Sequence, residues 1–169
     1  MKTKALLVIL SLSFDFLCFS QTSHTDSLCK SEIRKLEFMT GNWKGAAWTL
    51  GLNGEKNYFE IKQKIQFKLD TTLLHIERMG IMYGQTVYNE LDIISFVKQD
   101  SAFVFDTFLS DGNRGRFKGS LSGKKFNWHP YDNTDYTILL NEQGEWSETA
   151  QLRNGDTVIR FLEIKLEKQ

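Results

Sequence analysis

Asn57-Tyr-Phe-Glu-Ile-Lys-Gln-Lys-Ile-Gln-Phe-Lys-Leu69 decides the fold class. Phe59, Ile61, Gln63, Ile65, Phe67 and Leu69 fall on one side of an extended chain. Glu60, Lys62, Lys64, Gln66 and Lys68 fall on the other. A strand with one apolar and one charged face belongs to an antiparallel sheet with a core on one side and water on the other. The lysine stripe reads most simply as that solvated face, not as a nucleic-acid surface.

Working outward, the same pattern repeats along the chain. Strands are expected at Trp43 to Thr49, Leu73 to Met79, Val87 to Val97, Ala102 to Ser110 and Arg116 to Leu121. Others follow at Lys125 to His129, Tyr136 to Leu140, Glu145 to Leu152 and Val158 to Lys168. Between them lie Asn53-Gly54, Asp111-Gly112, Ser122-Gly123, Gln143-Gly144 and Asn154-Gly155, residues that favour tight turns. The single proline, Pro130, stands near a strand end, where it need not interrupt a ladder. So many short-linked strands overfill a flat sheet. The expected fold is all-β, an antiparallel meander barrel of about 8–10 strands, which removes its own edges by closing. A two-sheet sandwich or a jelly roll is the alternative, but both usually need longer crossing connections. One short N-terminal helix precedes the strands. Asp26 or Ser27 caps it, Leu28, Ile33 and Leu36 form its apolar stripe, and Gly41 ends it in a left-handed conformation.

Residues 1–20 read as an export signal. Lys2 and Lys4 form a basic start and Ala5 to Ser13 an apolar stretch too short to span a bilayer. Cys18 and Ser20 sit at −3 and −1 if cleavage falls before Gln21. A lipoprotein signal needs a small residue before the cysteine, and Leu17 stands there. The remaining 21–169 form one domain, with residues 21–25 polar and loose. The chain is expected to be exported, periplasmic or secreted, with no integral membrane segment once the signal is removed. With 21 basic and 21 acidic residues it has no electrostatic reason to seek nucleic acid. Of the two cysteines, Cys18 leaves with the signal, so no internal disulfide is expected and Cys29 is read as a small packed residue under the helix.

Turn arithmetic assigns side chains to the interior. With Asp70-Thr71 as turn residues, Leu69 faces Thr72, Phe67 faces Leu74, Ile65 faces Ile76 and Gln63 faces Arg78, so Gln63 and Arg78 share the apolar face while His75 and Glu77 face water. With Asn154-Gly155 as turn residues, Ala150 faces Ile159, Glu148 faces Phe161 and Trp146 faces Glu163. That pairing puts Trp146, Glu148, Phe161 and Glu163 inside, and leaves Val158, Arg160 and Leu162 on the other face. One residue of slippage would flip a strand. An inward arginine and two inward glutamates form either a latch that closes the barrel or the polar end of an apolar ligand pocket. Trp128, Phe126 and Tyr83 are candidates for the apolar wall, with ordinary core packing as the plainer role.

Gly41-Asn42-Trp43, after a short helix and opening the first strand, resembles the Gly-x-Trp signature of lipocalins and their calycin relatives. Tyr136-Thr137-Ile138, Trp146-Ser147-Glu148 and Glu163-Ile164-Lys165-Leu166 resemble the C-terminal half of a bacterial family of unknown function with a lipocalin-like barrel. The likeness covers Ile33 to Leu166. It implies that Trp43 plugs the closed end of the barrel. Gly41-Asn42-Trp43-Lys44-Gly45 is also similar to the opening strand of nitrobindin-like haem barrels. Those ligate iron through a histidine near the chain end, whereas no histidine follows His129 here, so no cofactor is expected.

Other chemistry is not signalled. His24, His75 and His129 make no metal-spaced cluster. Gly119-Ser120-Leu121-Ser122-Gly123 has leucine where a nucleophile elbow needs serine. The leading expectation is a binding protein for a small apolar or amphipathic molecule, with Gln63, Arg78, Trp128, Trp146, Glu148, Phe161 and Glu163 as contacts. A small lumen enzyme (isomerase, cyclase or hydrolase) using Glu148 or Glu163 is the second reading, and an interaction module with a plugged barrel the third.

Overall fold

The computed structural model describes residues 24–169; the expected export signal at 1–20 lies outside them. Helix α1 (His24–Arg34) leads through a 3-10 turn (Glu37–Met39) into β1 (Gly41–Leu50). The chain then meanders through β2 (Lys56–Lys68), β3 (Leu73–Met82), β4 (Gln85–Val97), β5 (Ala102–Leu109), β6 (Arg114–Ser122), β7 (Lys125–Tyr131), β8 (Thr134–Leu140), β9 (Trp146–Asn154) and β10 (Thr157–Lys168). Each strand pairs antiparallel with its neighbour in sequence, and β1 pairs with β10, so the sheet closes into a barrel. Every strand expected from alternation is present. The sandwich and jelly-roll alternatives fall, because the meander leaves no edge strand.

The helix differs from expectation at both ends. Its described residues run His24–Arg34, so the backbone at Thr25, Asp26 and Ser27 is already helical. It ends at Arg34, and Gly41 opens β1 with φ 133°, a glycine-favouring value but not the left-handed helical stop. A Cβ there would lie 2.5 Å from Lys168 Cε, so the lack of a side chain also admits the end of β10.

The helical segment plugs one end of the barrel. α1 packs against β3 and β4. Ile33, Leu36 and Met39 are fully buried, and Leu28 is exposed at the helix edge. Cys29 Sγ lies 3.6 Å from the Phe96 carbonyl. Lys30 Nζ holds Asp70 Oδ2 at 2.6 Å and keeps the Asp70 carboxyl below its ordinary range. Trp43 donates its indole N–H to the Met39 carbonyl at 2.9 Å and lies 5.3 Å, ring to ring, from Trp146. Both indoles are buried in one apolar cluster with Ile65, Leu74, Ile94, Phe103, Phe126 and Leu166. Burying rings that large, with Trp43's N–H satisfied, makes this end the stable core of the barrel.

The registers of the two key hairpins are unequal. β2–β3 pairs Phe67 with Leu74, Ile65 with Ile76 and Gln63 with Arg78, as the turn arithmetic predicts. In β9–β10 the turn is shifted, with Asn154 opposite Thr157 and Leu152 opposite Ile159. A bulge then intervenes between Arg160 and Leu162. Beyond it Ala150 faces Leu162, Glu148 faces Ile164 and Trp146 faces Leu166. The extra residue, Phe161, reverses the phase of everything after it. Leu162 therefore turns inward, and Glu163 turns outward, opposite to expectation.

Candidate functional site

Above the packed end, the barrel interior opens into a cavity of about 800 Å³. Its floor is built by β2, β3, β4, β5 and β9. Register sets Gln63 beside Arg78, Arg78 beside Glu90, and Asp92 beside Thr107, all on the inward face. The Arg78 guanidinium meets Glu148 in a forked pair, with Nη2 to Oε2 at 2.7 Å and Nη1 to Oε1 at 3.2 Å. Nη1 also reaches Glu90 Oε2 at 3.1 Å, and Nε donates to Gln63 Oε1 at 3.1 Å. Thr107 donates its hydroxyl to Glu90 Oε1 at 2.8 Å. Arg78, Gln63, Asp92 and Glu148 are all buried, and the Glu90 side chain is 10% exposed.

One guanidinium thus stands among three carboxyls. Burial works against the charge on Arg78, but Glu148 and then Glu90 outweigh it and raise its pKa. Burial raises the Glu148 carboxyl, with Arg78 opposing and Glu90 assisting. Asp92 is raised well above the ordinary carboxylate range, by burial first and by Glu90 next. Thr107, the donor beside it, gives its one hydroxyl hydrogen to Glu90, so neither Asp92 oxygen holds a full hydrogen bond. A buried carboxylate without donors is so costly that Asp92 is held as the neutral acid. Tyr136 is pushed up to about 12 by burial, and Tyr88 is raised for the same reason, so both phenols are neutral donors.

The walls are aromatic. Trp128 lies between Phe105 at 4.5 Å and Tyr136 at 5.0 Å, both stacked on it, and Phe161 meets Tyr136 edge-on at 5.8 Å. Phe59, Ile61, Phe117 and Leu162 complete the lining. Gly115 admits the Phe117 ring, whose tip lies 2.2 Å from where a Cβ would be. Phe161 reaches the cavity from the bulge, so the irregularity that removes Glu163 also supplies a wall.

Of the residues singled out in the sequence, Gln63, Arg78 and Glu148 meet at the floor, and Trp128 and Phe161 form walls. Trp146 is inward but lies in the packed end, under the floor and away from the cavity. Glu163 is on the outer wall, where its carboxylate accepts the Trp48 indole N–H at 2.9 Å and pairs with Lys165 at 3.7 Å and Arg160 at 3.5 Å. Phe126 is buried in the core, and Tyr83 is fully exposed in the β3–β4 turn. His75 and Glu77 lie on the outer face, opposite Leu74 and Ile76 in phase, and His129 pairs with Asp135 at 2.8 Å. Among the described residues no group of His, Cys, Asp or Glu is placed to hold a metal ion.

Tyr88, Glu90, Asp92, Thr107 and Tyr136 were not anticipated. Their signal is the alternation Tyr88, Glu90, Asp92, Ile94, Phe96 along β4. It competes with Val87, Leu91 and Ile93 on the other phase, and two acids on the inward face tip the apolar balance away from it.

No protein-family model matches the chain, and no curated protein sequence does. Among solved structures it is similar to the crystal structure of Rv2717c from M. tuberculosis, at 12% identity and a TM-score of 0.57. The alignment covers 83% of this chain and 97% of that one. At that identity the likeness establishes a shared barrel fold.

Proposed function

We propose that this chain is an exported barrel that binds a small apolar or amphipathic molecule in its lumen and does not transform it. The observation that carries the reading is the open cavity of about 800 Å³, walled by Trp128, Tyr136, Phe105, Phe117 and Phe161 and floored by a charged cluster. Pockets for small ligands have this size and this mix of apolar wall and few polar groups. The Gly-x-Trp opening, with Trp43 buried beside the helical segment, supports placing the barrel near the lipocalin-like calycins. Native mass spectrometry of delipidated full chain against a library of small lipids and cofactors tests the reading. A one-to-one adduct that raises the melting temperature is expected. No adduct and no shift across the library would remove it. Export is tested separately by expression with the native N-terminus: a product beginning at Gln21 outside the cytoplasm is expected, and an uncleaved cytoplasmic chain would overturn it.

The second reading, a lumen enzyme, rests on Glu148, a carboxyl with a raised pKa at the cavity floor. Both its oxygens accept from Arg78, so it would serve as a base only with that pair opened. Binding without chemistry needs no such rearrangement and is preferred.

A further inference from the structure

The balance of donors and acceptors at the cavity floor is uneven, and the imbalance selects a ligand. Arg78 is the cation at the floor, and it is already committed: Nε to Gln63, Nη1 to Glu90 and Glu148, Nη2 to Glu148. The other arginine lining the cavity, Arg114, is exposed where β6 begins, and among the described residues no lysine lines it. An anionic ligand seated at the floor would have to break the Arg78–Glu148 fork to reach its cation, and would otherwise meet only Arg114 at the start of β6 and the Tyr88 and Tyr136 hydroxyls. Acceptors, in contrast, are in surplus. Glu90 is the least buried carboxylate of the cluster; it accepts from Thr107 on Oε1 and Arg78 on Oε2, and the Tyr88 hydroxyl stands against it as well. A carboxylate offers about four lone-pair sites, so acceptor capacity remains. Behind it, fully buried Asp92 has only the Thr107 hydroxyl beside it, already given to Glu90. Arg78 is thus one guanidinium against three carboxyls, those of Glu148, Glu90 and Asp92.

We infer that the lumen is built for an organic monocation, a molecule whose ammonium group sits against Glu90 and whose apolar, ring-sized body lies against Trp128, Tyr136 and Phe161. An ammonium brings a second cation to a floor of three carboxyls and up to three hydrogen-bond donors, while the aromatic wall buries the rest. This rests on the lumen-binding reading and adds the chemical class of the ligand.

Three probes that share an indolylethyl body separate the classes: tryptamine (cation), tryptophol (neutral) and indole-3-propionate (anion), titrated calorimetrically into the full chain beside the neutral dye Nile red. Tryptamine is expected to bind at least about tenfold tighter than tryptophol, with indole-3-propionate weakest. Glu90→Gln should erase the advantage of tryptamine and leave tryptophol within about twofold of its wild-type affinity. If tryptophol or indole-3-propionate binds as tightly as tryptamine, or Nile red binds and tryptamine does not, the cation assignment falls and lumen binding stands. If neither Nile red nor any indole binds, both fall. The probe series on the wild-type chain decides the matter even if Glu90→Gln does not fold.

Discussion

The β2–β3 and β9–β10 hairpins both deliver a charged residue to the lumen floor, by different means. β2–β3 runs in unbroken register from Lys68 opposite Leu73 to Glu60 opposite Ile81, so every second residue of both strands faces inward. β9–β10 changes register at Phe161. The regular hairpin gives a rigid platform on which Arg78 and Gln63 are fixed side by side. The bulged one bends the wall, brings Phe161 into the cavity and re-phases the rest of β10, so that Ile164 and Leu166 turn inward in place of Glu163 and Lys165. A ladder with no spare residue transmits phase over its whole length; a bulge absorbs one residue and resets it.

Deleting one residue from each hairpin should have opposite consequences. Removing Lys62 from mid-β2 forces either Phe59 and Ile61 or Gln63 and Ile65 to the wrong face, and the barrel should not fold, as near-ultraviolet circular dichroism will show. Removing Phe161 takes out the bulge itself and leaves Arg160 and Leu162 opposite their present partners. That variant should fold, with its lumen binding weakened by loss of the wall. Equal damage from both deletions would mean that the bulge is not a phase absorber.

Next in size is Arg78→Ala. It leaves Glu148 and Glu90 facing one another without their cation, and unfolding in urea should show a loss of about 3–5 kcal/mol, the range for breaking a buried pair. A loss under about 1 kcal/mol, the worth of an exposed pair, would show that water reaches the cluster.

The pH dependence comes from Asp92 and Glu148. Both carboxyls have a higher pKa folded than unfolded, so the folded state keeps its protons longer. Their contribution to stability is complete below the ordinary carboxylate range and declines as pH rises through it toward the folded values. Asp92→Asn replaces the neutral acid with a neutral amide and removes its share of that decline. Denaturation curves from acid to neutral pH should therefore fall less steeply for the variant, with the variant the more stable at neutrality. Parallel curves would mean that Asp92 is ionised in the fold.

The smallest effect belongs to Glu163→Gln. On the outer wall it can lose only exposed ion pairs and weaken one bond to Trp48, so stability should fall by no more than about 1 kcal/mol and lumen binding should not change. A loss of ligand affinity would return Glu163 to the interior and contradict the bulged register.

These two hairpins also explain which parts of the site could be read in advance. The Asp70-Thr71 turn feeds an unbroken ladder, so counting outward from it finds Gln63 beside Arg78. Counting from Asn154-Gly155 places Glu148 correctly, because moving the turn by one residue shifts both strands together and preserves their faces. It fails at Glu163, beyond the bulge. Glu90 was hidden in the same way: β3–β4 has its own irregularity between Gly80 and Ile81, so counting from Tyr83-Gly84 pairs Arg78 with Asn89 instead of Glu90.

The sequence by itself determined the alternation of each strand, the sites of the turns, the short helix and the Gly-x-Trp entry. Those are local properties, set by side-chain spacing and by which residues tolerate a reversal. Tertiary structure alone decided the pairing of β1 with β10, the positions of the bulges, the outward turn of Glu163 and the gathering of Arg78, Glu90, Asp92 and Glu148 on one floor. The reason is physical. Closing a twisted sheet into a barrel imposes a curvature on the whole ladder, and the ladder meets it by placing an extra residue where bending is cheapest, which no single strand's sequence records.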